Sequence, residues 1–433
     1  MLLLSMTNAL VSYFNPEGED KDFFHLQEEL RFQVSLKSSL SHAGVLSNPS
    51  IKEQFESSID EGFRKILDDA KKASGSSEEA ARIAIVTSRE LGEQVPWNSL
   101  NSIEFSKDRK SRLIYALFST NEVDPKFVEQ LSRLETDEFA VRLALAQARE
   151  SLGEDSHRED LLVDNLFMKM GALGLLSAVA FFGGIVVLFL FFKARAAGIL
   201  RPKGFARFNR TDGDRYVTRF GFYLVAFLAM GLGAGIARAL DVTGVWVGAS
   251  ALVATLALTV GFLYVPLAHR ADSIEEVCGD LKPLGRLVAK GLVAYVAIVP
   301  LIAAALVFAE ALSGYFPQPS HPIQDELRGA TGAVWIGIFL MAAVLAPILE
   351  ELTFRGLLFP ALASNMKRPL WAILACGFLF ACIHPQGPLI WPALMAVGAA
   401  AAYLRYYTGS IVPSVVLHAT HNGLLVLISL VLT

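Results

Sequence analysis

The spacing of apolar and polar positions divides the chain at about residue 165. Up to Asp164, apolar residues recur every three or four positions with charged residues between them, the pattern of amphipathic helices. From Leu166 onward the apolar residues run together into stretches long enough to cross a bilayer. In the first region the pattern predicts helices over 24–36, 53–70, 78–91, from 125, and over 136–152. Ser76-Ser77-Glu78-Glu79 places capping hydroxyls ahead of an acidic first turn, and Asp124-Pro125 places proline at a first helical position. No repeat, HExxH, GxSxG or glycine-rich phosphate loop occurs there. Residues 1–165 therefore read as a soluble, mostly helical accessory region whose charge runs are solvated helix faces.

The second region parses into eight spans, at about 169–192, 220–237, 245–268, 287–312, 331–363, 370–383, 389–407 and 411–432. Gly231, Gly233 and Gly235 in the second are small residues that let helices approach. The expected fold is all-α: a polytopic membrane helix bundle of about eight spans behind an N-terminal helical soluble region. Residues 166–330 supply the first membrane spans and 331–433 the catalytic membrane core.

Composition agrees. The chain has 433 residues, 53% of them hydrophobic, and its mean hydropathy of +0.45 is too high for a soluble enzyme of this length. A net charge of −4 argues against a nucleic-acid partner. Cys278, Cys376 and Cys382 form no CxxC pair and no disulfide framework. Lys193, Arg195, Arg201, Lys203, Arg207, Arg210, Arg215 and Arg219 put the first inter-span loop in the cytoplasm, with Arg270, Lys282, Arg286, Lys367, Arg368 and Arg405 on the same side. Residues 1–165 then lie outside. Residues 1–11 are apolar but too short to span a bilayer and have no basic lead; they read equally as the tail of an upstream anchor, which would explain the export of residues 1–165, or as a buried N-terminal helix.

Three polar constellations interrupt the last apolar runs. Glu350-Glu351-x-x-x-Arg355 sets two carboxylates and an arginine at membrane depth, where ions are costly unless paired. Glu351 and Arg355, four apart, share a helix face and suit an internal ion pair, which leaves Glu350 for another partner. Phe380-x-x-x-His384 ends the sixth span, and His418-x-x-x-Asn422, with His421 between, lies in the eighth. Taken singly, each histidine reads as a satisfied core residue and Phe380 as packing. Counting from the turn at 365–369, Glu350, Glu351 and His384 reach similar depth. Counting from the turn at 407–410, His418 and Asn422 come out shallower by roughly 7 to 14 Å at ~1.5 Å per residue.

A base beside water and donors for an oxyanion are what peptide hydrolysis without a covalent nucleophile requires. Glu350 with His384 suits the base, and His418 with Asn422 suits the donors. Glu350, His384 and His418 equally match a catalytic zinc set of two histidines and a glutamate. Residue types permit both. The rival classes are a transporter with a proton or cation path through Glu350, Glu351 and the histidines, and a non-catalytic membrane scaffold or immunity protein.

These motifs, in this order, resemble the CPBP family of intramembrane proteases, which includes CAAX prenyl endopeptidases and bacteriocin-processing (Abi) enzymes. The resemblance runs from about Trp335 to the C-terminus. The contexts Phe354-Arg355-Gly356, Ile383-His384-Pro385-Gln386 and Tyr407-Thr408-Gly409-Ser410-Ile411 are similar to those of bacterial members. It implies a multi-pass endopeptidase of the bacterial inner membrane, acting on membrane-associated or lipidated substrates without a cofactor. It also implies that Glu350 and His384 activate water, that His418 and Asn422 form the oxyanion hole, and that Glu351, Arg355 and Phe380 support the site. The partners it implies are membrane lipids and a peptide or protein substrate entering the membrane site. For residues 1–165 it implies nothing.

Overall fold

The computed structural model describes residues 23–42, 49–74, 77–100, 106–120, 122–202, 216–225, 277–312, 315–316, 332–366, 368–384 and 386–432, with positions 250, 253, 254 and 257. Every described element is helical apart from one isolated backbone bridge between Gly279 and Ser410, so the fold is all-α. The described residues fall into two compact units, one within 19–172 and the other within 173–431.

The first unit comprises α1 (Phe24–His42), α2 (Pro49–Ser74), α3 (Glu78–Glu90), α4 (Arg109–Phe118), α5 (Pro125–Ser132) and α6 (Phe139–Leu152). The caps lie where the sequence places them: Ser77 accepts from the Ala80 amide and Asp124 from that of Lys126. Helix α4 was not among the predicted segments, yet it has its own cap, Asp108, which accepts from the Ser111 amide. The helices bury Leu30, Phe63, Ile66, Ile83, Ile85, Ile114 and Leu143 in one core. Each such side chain contributes about 1.5–3 kcal/mol of transfer free energy. Arg82 lies at the edge of this core against Glu138, Asp108 and Ser111.

In the second unit the elements are α7 (Leu166–Ala196, from Leu173 onward), α8 (Leu284–Leu312), α9 (Gly332–Asn365), α10 (Pro369–Cys382), α11 (Trp391–Thr408) and α12 (Val412–Leu432). Residues 216–225 are also helical. Helices α7, α8, α9 and α12 are long and apolar enough to cross a membrane. Helices α10 and α11, of 14 and 18 residues, occupy the sixth and seventh predicted spans without meeting that measure. Most of the second and third predicted spans, residues 1–11 and the basic residues Lys203, Arg207, Arg210, Arg215, Arg270 and Lys367 lie outside the described residues.

Helix α9 is not a uniform α-helix. It opens into wide π turns at Met341–Leu345 and Phe354–Leu358, on either side of an eight-residue α-helical rod, Ala346–Thr353. The prolines explain both. A proline inside a helix lacks an N–H and its ring clashes with the carbonyl four residues back. For Pro347 and Pro360 those carbonyls belong to Ala343 and Gly356, each at the middle of a wide turn that gives the ring room.

Close glycine contacts set the neighbouring helices. Added Cβ atoms on Gly377 and Gly398 would lie 2.7 Å from the Ala399 amide nitrogen and 2.9 Å from Gly377 Cα, so α10 and α11 meet backbone to backbone. The α11–α12 turn is held under the segment 277–280. Ile411 donates to the Cys278 carbonyl at 2.9 Å, and Asp280 donates to Gly409 at 3.3 Å.

Candidate functional site

The short rod of α9 carries the two glutamates, and the wide turn that follows it carries Arg355. Helix α10 brings Phe380 and, just beyond its end, His384. Helix α12 brings His418, His421 and Asn422. All seven residues singled out for the site come together in the membrane unit.

The two glutamates divide as their helix positions require. Glu351 is fully buried, and its Oε1 lies 2.9 Å from an Arg355 terminal nitrogen that is equally buried. The other terminal nitrogen of Arg355 donates to the Gly398 carbonyl at 2.8 Å. The guanidinium also lies over the Phe380 ring, 4.6 Å from its centroid. Glu350 instead points to the histidines. Its Oε2 is 3.7 Å from His384 Nε2 and 3.8 Å from His418 Nε2. Glu350 and His384 keep 19% and 15% side-chain exposure, whereas Glu351 and Arg355 keep none. One carboxylate can therefore meet a guest molecule and the other cannot.

Hydrogen bonds fix the imidazole tautomers. His384 Nδ1 lies 2.6 Å from the Phe380 carbonyl, which only accepts, so that nitrogen carries the proton. His418 Nδ1 lies 3.0 Å from Glu351 Oε1 and likewise donates. In the neutral rings both Nε2 atoms are then acceptors facing Glu350. Three acceptors converge, so the group that fits between them carries hydrogen-bond donors or positive charge. Water meets that condition, and so does a metal ion. An outward N–H donated to a carbonyl or carboxylate is also the outer contact that orients metal-binding imidazoles. Among the described residues, however, no group of three or more His, Cys, Asp or Glu side chains is arranged to hold a metal ion.

Asn422 donates through Nδ2 to the Ala342 carbonyl at 2.9 Å, and the same nitrogen lies 3.3 Å from His418 Nε2. Phe380 is 1% exposed and packs edge-on against Phe354 and against His418, with ring centroids 5.3 and 5.4 Å apart. Its place is thus in the wall of the site, as its helix face suggests.

The hairpin count for α12 is corrected by this geometry. It assumed that the turns at 365–369 and 407–410 lie at one level. The structure brings His418 beside Glu350 instead, Nε2 to Oε2 at 3.8 Å, and buries Thr408, Ser410 and Ser414 of that turn against segment 277–280. His418 therefore reaches the level of Glu350.

Tyr223 was not among the sequence candidates. It packs with Leu349, Phe354 and Phe380, its hydroxyl bonds the Thr353 side chain, and the Glu350 charge acts on it. A tyrosine in an apolar span gives no motif signal; its nearness to Glu350 is a tertiary fact.

Residues 332–424 match the family model described as type II CAAX prenyl endopeptidase Rce1-like. This segment belongs to the Rce1-like family. The Rce1-like segment holds every member of the three motifs, from Glu350 to Asn422. Its class is that of a CAAX-type intramembrane endopeptidase, a hydrolase carried by an integral membrane protein. No curated protein and no solved structure matches the chain.

Proposed function

We propose that the Rce1-like segment hydrolyses a peptide bond of a lipidated or membrane-associated substrate, using water activated by Glu350. The observation that carries this reading is the convergence of Glu350 Oε2 with His384 Nε2 and His418 Nε2 at 3.7 and 3.8 Å, beside a sealed Glu351–Arg355 pair. Water between these atoms donates one hydrogen to the carboxylate and one to His384. Glu350 takes the first as the hydroxide attacks the substrate carbonyl, and returns it to the leaving amine. His418 and Asn422 line the place of the tetrahedral oxyanion, which accepts from Asn422 Nδ2 as its contact with His418 Nε2 gives way. The chain then works as a multi-pass protein of the bacterial inner membrane, with prenylated CAAX peptides as one substrate class to test.

The tautomers of His384 and His418 favour a second reading. Glu350, His384 and His418 would hold zinc, which supplies Lewis-acid activation of water when bound.

The deciding assay follows cleavage of a prenylated CAAX reporter peptide by the full chain in vesicles. Glu350→Gln and His384→Ala are expected to stay inserted and folded and to lose cleavage. Full activity in Glu350→Gln would sink the glutamate mechanism. Activity lost to a chelator and restored by zinc would select the metal reading. Comparing the peptides of membranes that carry wild-type or Glu350→Gln protein identifies the native substrate.

A further inference from the structure

The Ala342 carbonyl has neither of its two regular donors within the helix. Ala346 is the donor that an α-helix would supply, but it bonds Met341 across the wide turn. The next position, which would donate in a π turn, is Pro347, and proline has no N–H. A buried carbonyl without a partner is costly, and here the partner comes from another helix. Asn422 of α12 donates to it at 2.9 Å.

The two helices are shaped for that bond. A Cβ on Gly423 would lie 3.4 Å from Ala343 Cβ, so this glycine sits where α12 approaches the wide turn most closely. Ala342 and Ala343 are small and buried on the facing side. Asn422 also borders the reacting atoms: its Nδ2 is 3.3 Å from His418 Nε2, which is 3.8 Å from Glu350 Oε2.

We propose that Pro347 is a positioning residue of this site: by denying Ala342 a donor within α9, it creates the acceptor on which Asn422 docks. One N–H of the amide is spent on α9, and the second faces His418 Nε2, itself beside Glu350, so the docked amide holds both in place. The proline thereby sets Asn422 without touching substrate, from a position three residues before Glu350. The kinetic consequence rests on the peptidase reading; the structural consequence does not.

Pro347→Ala returns an N–H to the helix, lets Ala342 bond within α9 and frees Asn422. The variant is expected to fold with a melting temperature no lower than wild type. Its kcat on the reporter peptide is expected to fall roughly 10–100-fold while KM changes little. Pro347→Gly, which also restores an N–H, should lower kcat in the same way and serves if the alanine variant misfolds. The independent arm is a double-mutant cycle in thermal stability. Asn422→Ala should lower the melting temperature of the wild type by several degrees and that of Pro347→Ala by a small fraction of this. Equal drops in both backgrounds, or wild-type kcat in Pro347→Ala, overturns the proposal. Coupled melting temperatures together with an active Glu350→Gln would discard the glutamate mechanism and leave the docking intact.

Discussion

Arg82 in the helical unit and Arg355 in the membrane unit are both buried against a carboxylate, but their donors are used differently. The Arg82 guanidinium is bonded on all three nitrogens: to Glu138 at 2.6 and 3.0 Å, to Asp108 at 2.8 Å and to Ser111 at 2.7 Å. Lys110 adds a further cation to Glu138 at 3.2 Å. Arg355 has one aligned bond, to Gly398, and a contact with Glu351 whose distance suits an ion pair but whose angle does not suit a hydrogen bond. Its Nε finds no partner among the described residues, nor does Glu351 Oε2 or Glu350 Oε2. Saturated networks fix a fold, whereas buried polar atoms left with spare capacity are expected where a guest is to be bound. The Arg82 network shows the first condition, and Glu350, beside the sealed Glu351–Arg355 pair, the second.

Variants can break this contrast, and the largest effect belongs at Glu350. Glu350→Gln is expected to reduce peptide cleavage by about 10²–10⁴-fold, the usual range for removing a general base. Its melting temperature should stay near that of wild type, since Glu350 makes no saturated bond. A large loss of stability in Glu350→Gln would show that this carboxylate, too, is a packing group.

Next comes Arg355→Ala. It leaves Glu351 fully buried without a cation, so thermal or denaturant unfolding in detergent should register a loss of about 3–5 kcal/mol. Arg82→Ala should cost less, about 1–3 kcal/mol. Asp108 is 36% exposed and turns to water, and Lys110 remains beside Glu138. Equal costs for the two arginines would remove the distinction between the regions.

The smallest effect is a pH dependence in the helical unit. Burial pushes the Asp108 carboxyl upward, but the Ser111 amide, the Ser111 hydroxyl and Arg82 outweigh it, and the group lies below its ordinary 3.8. A carboxyl depressed by folding adds stability that is fully present above its unfolded value and lost as pH falls through its folded one. Melting temperatures measured downward from about pH 5 should therefore fall less steeply for Asp108→Asn than for wild type. Identical acid slopes would show that Asp108 does not contribute.

Much of this was legible in the sequence because helices advertise themselves by period. The caps Ser77 and Asp124, the long apolar runs and the four-residue spacings of Glu351–Arg355 and His418–Asn422 all follow from 3.6 residues per turn. What escaped notice lies off that period. Helix α4 is short and announced mainly by its cap, Asp108. Tyr223 reaches the site from a distant part of the chain. That His418 lies beside Glu350, 3.8 Å from its Oε2, is a fact of packing that the residue count missed. The wide turns did have a signal, in Pro347 and Pro360 inside a run otherwise fit for one straight helix.

Each wide turn holds one residue more than an α-turn, so α9 behaves as a helix carrying two single-residue insertions. An α-helix advances ~100° per residue, and removing one residue from 341–345 would turn everything before it by about that angle relative to Glu350. Removing one from 354–358 would do the same to everything after it. A one-codon deletion in either turn therefore swings Ala342 or the helix beyond Arg355 out of line with the glutamates. The length of this helix, counted in residues, is as much a part of the site as the glutamates it carries.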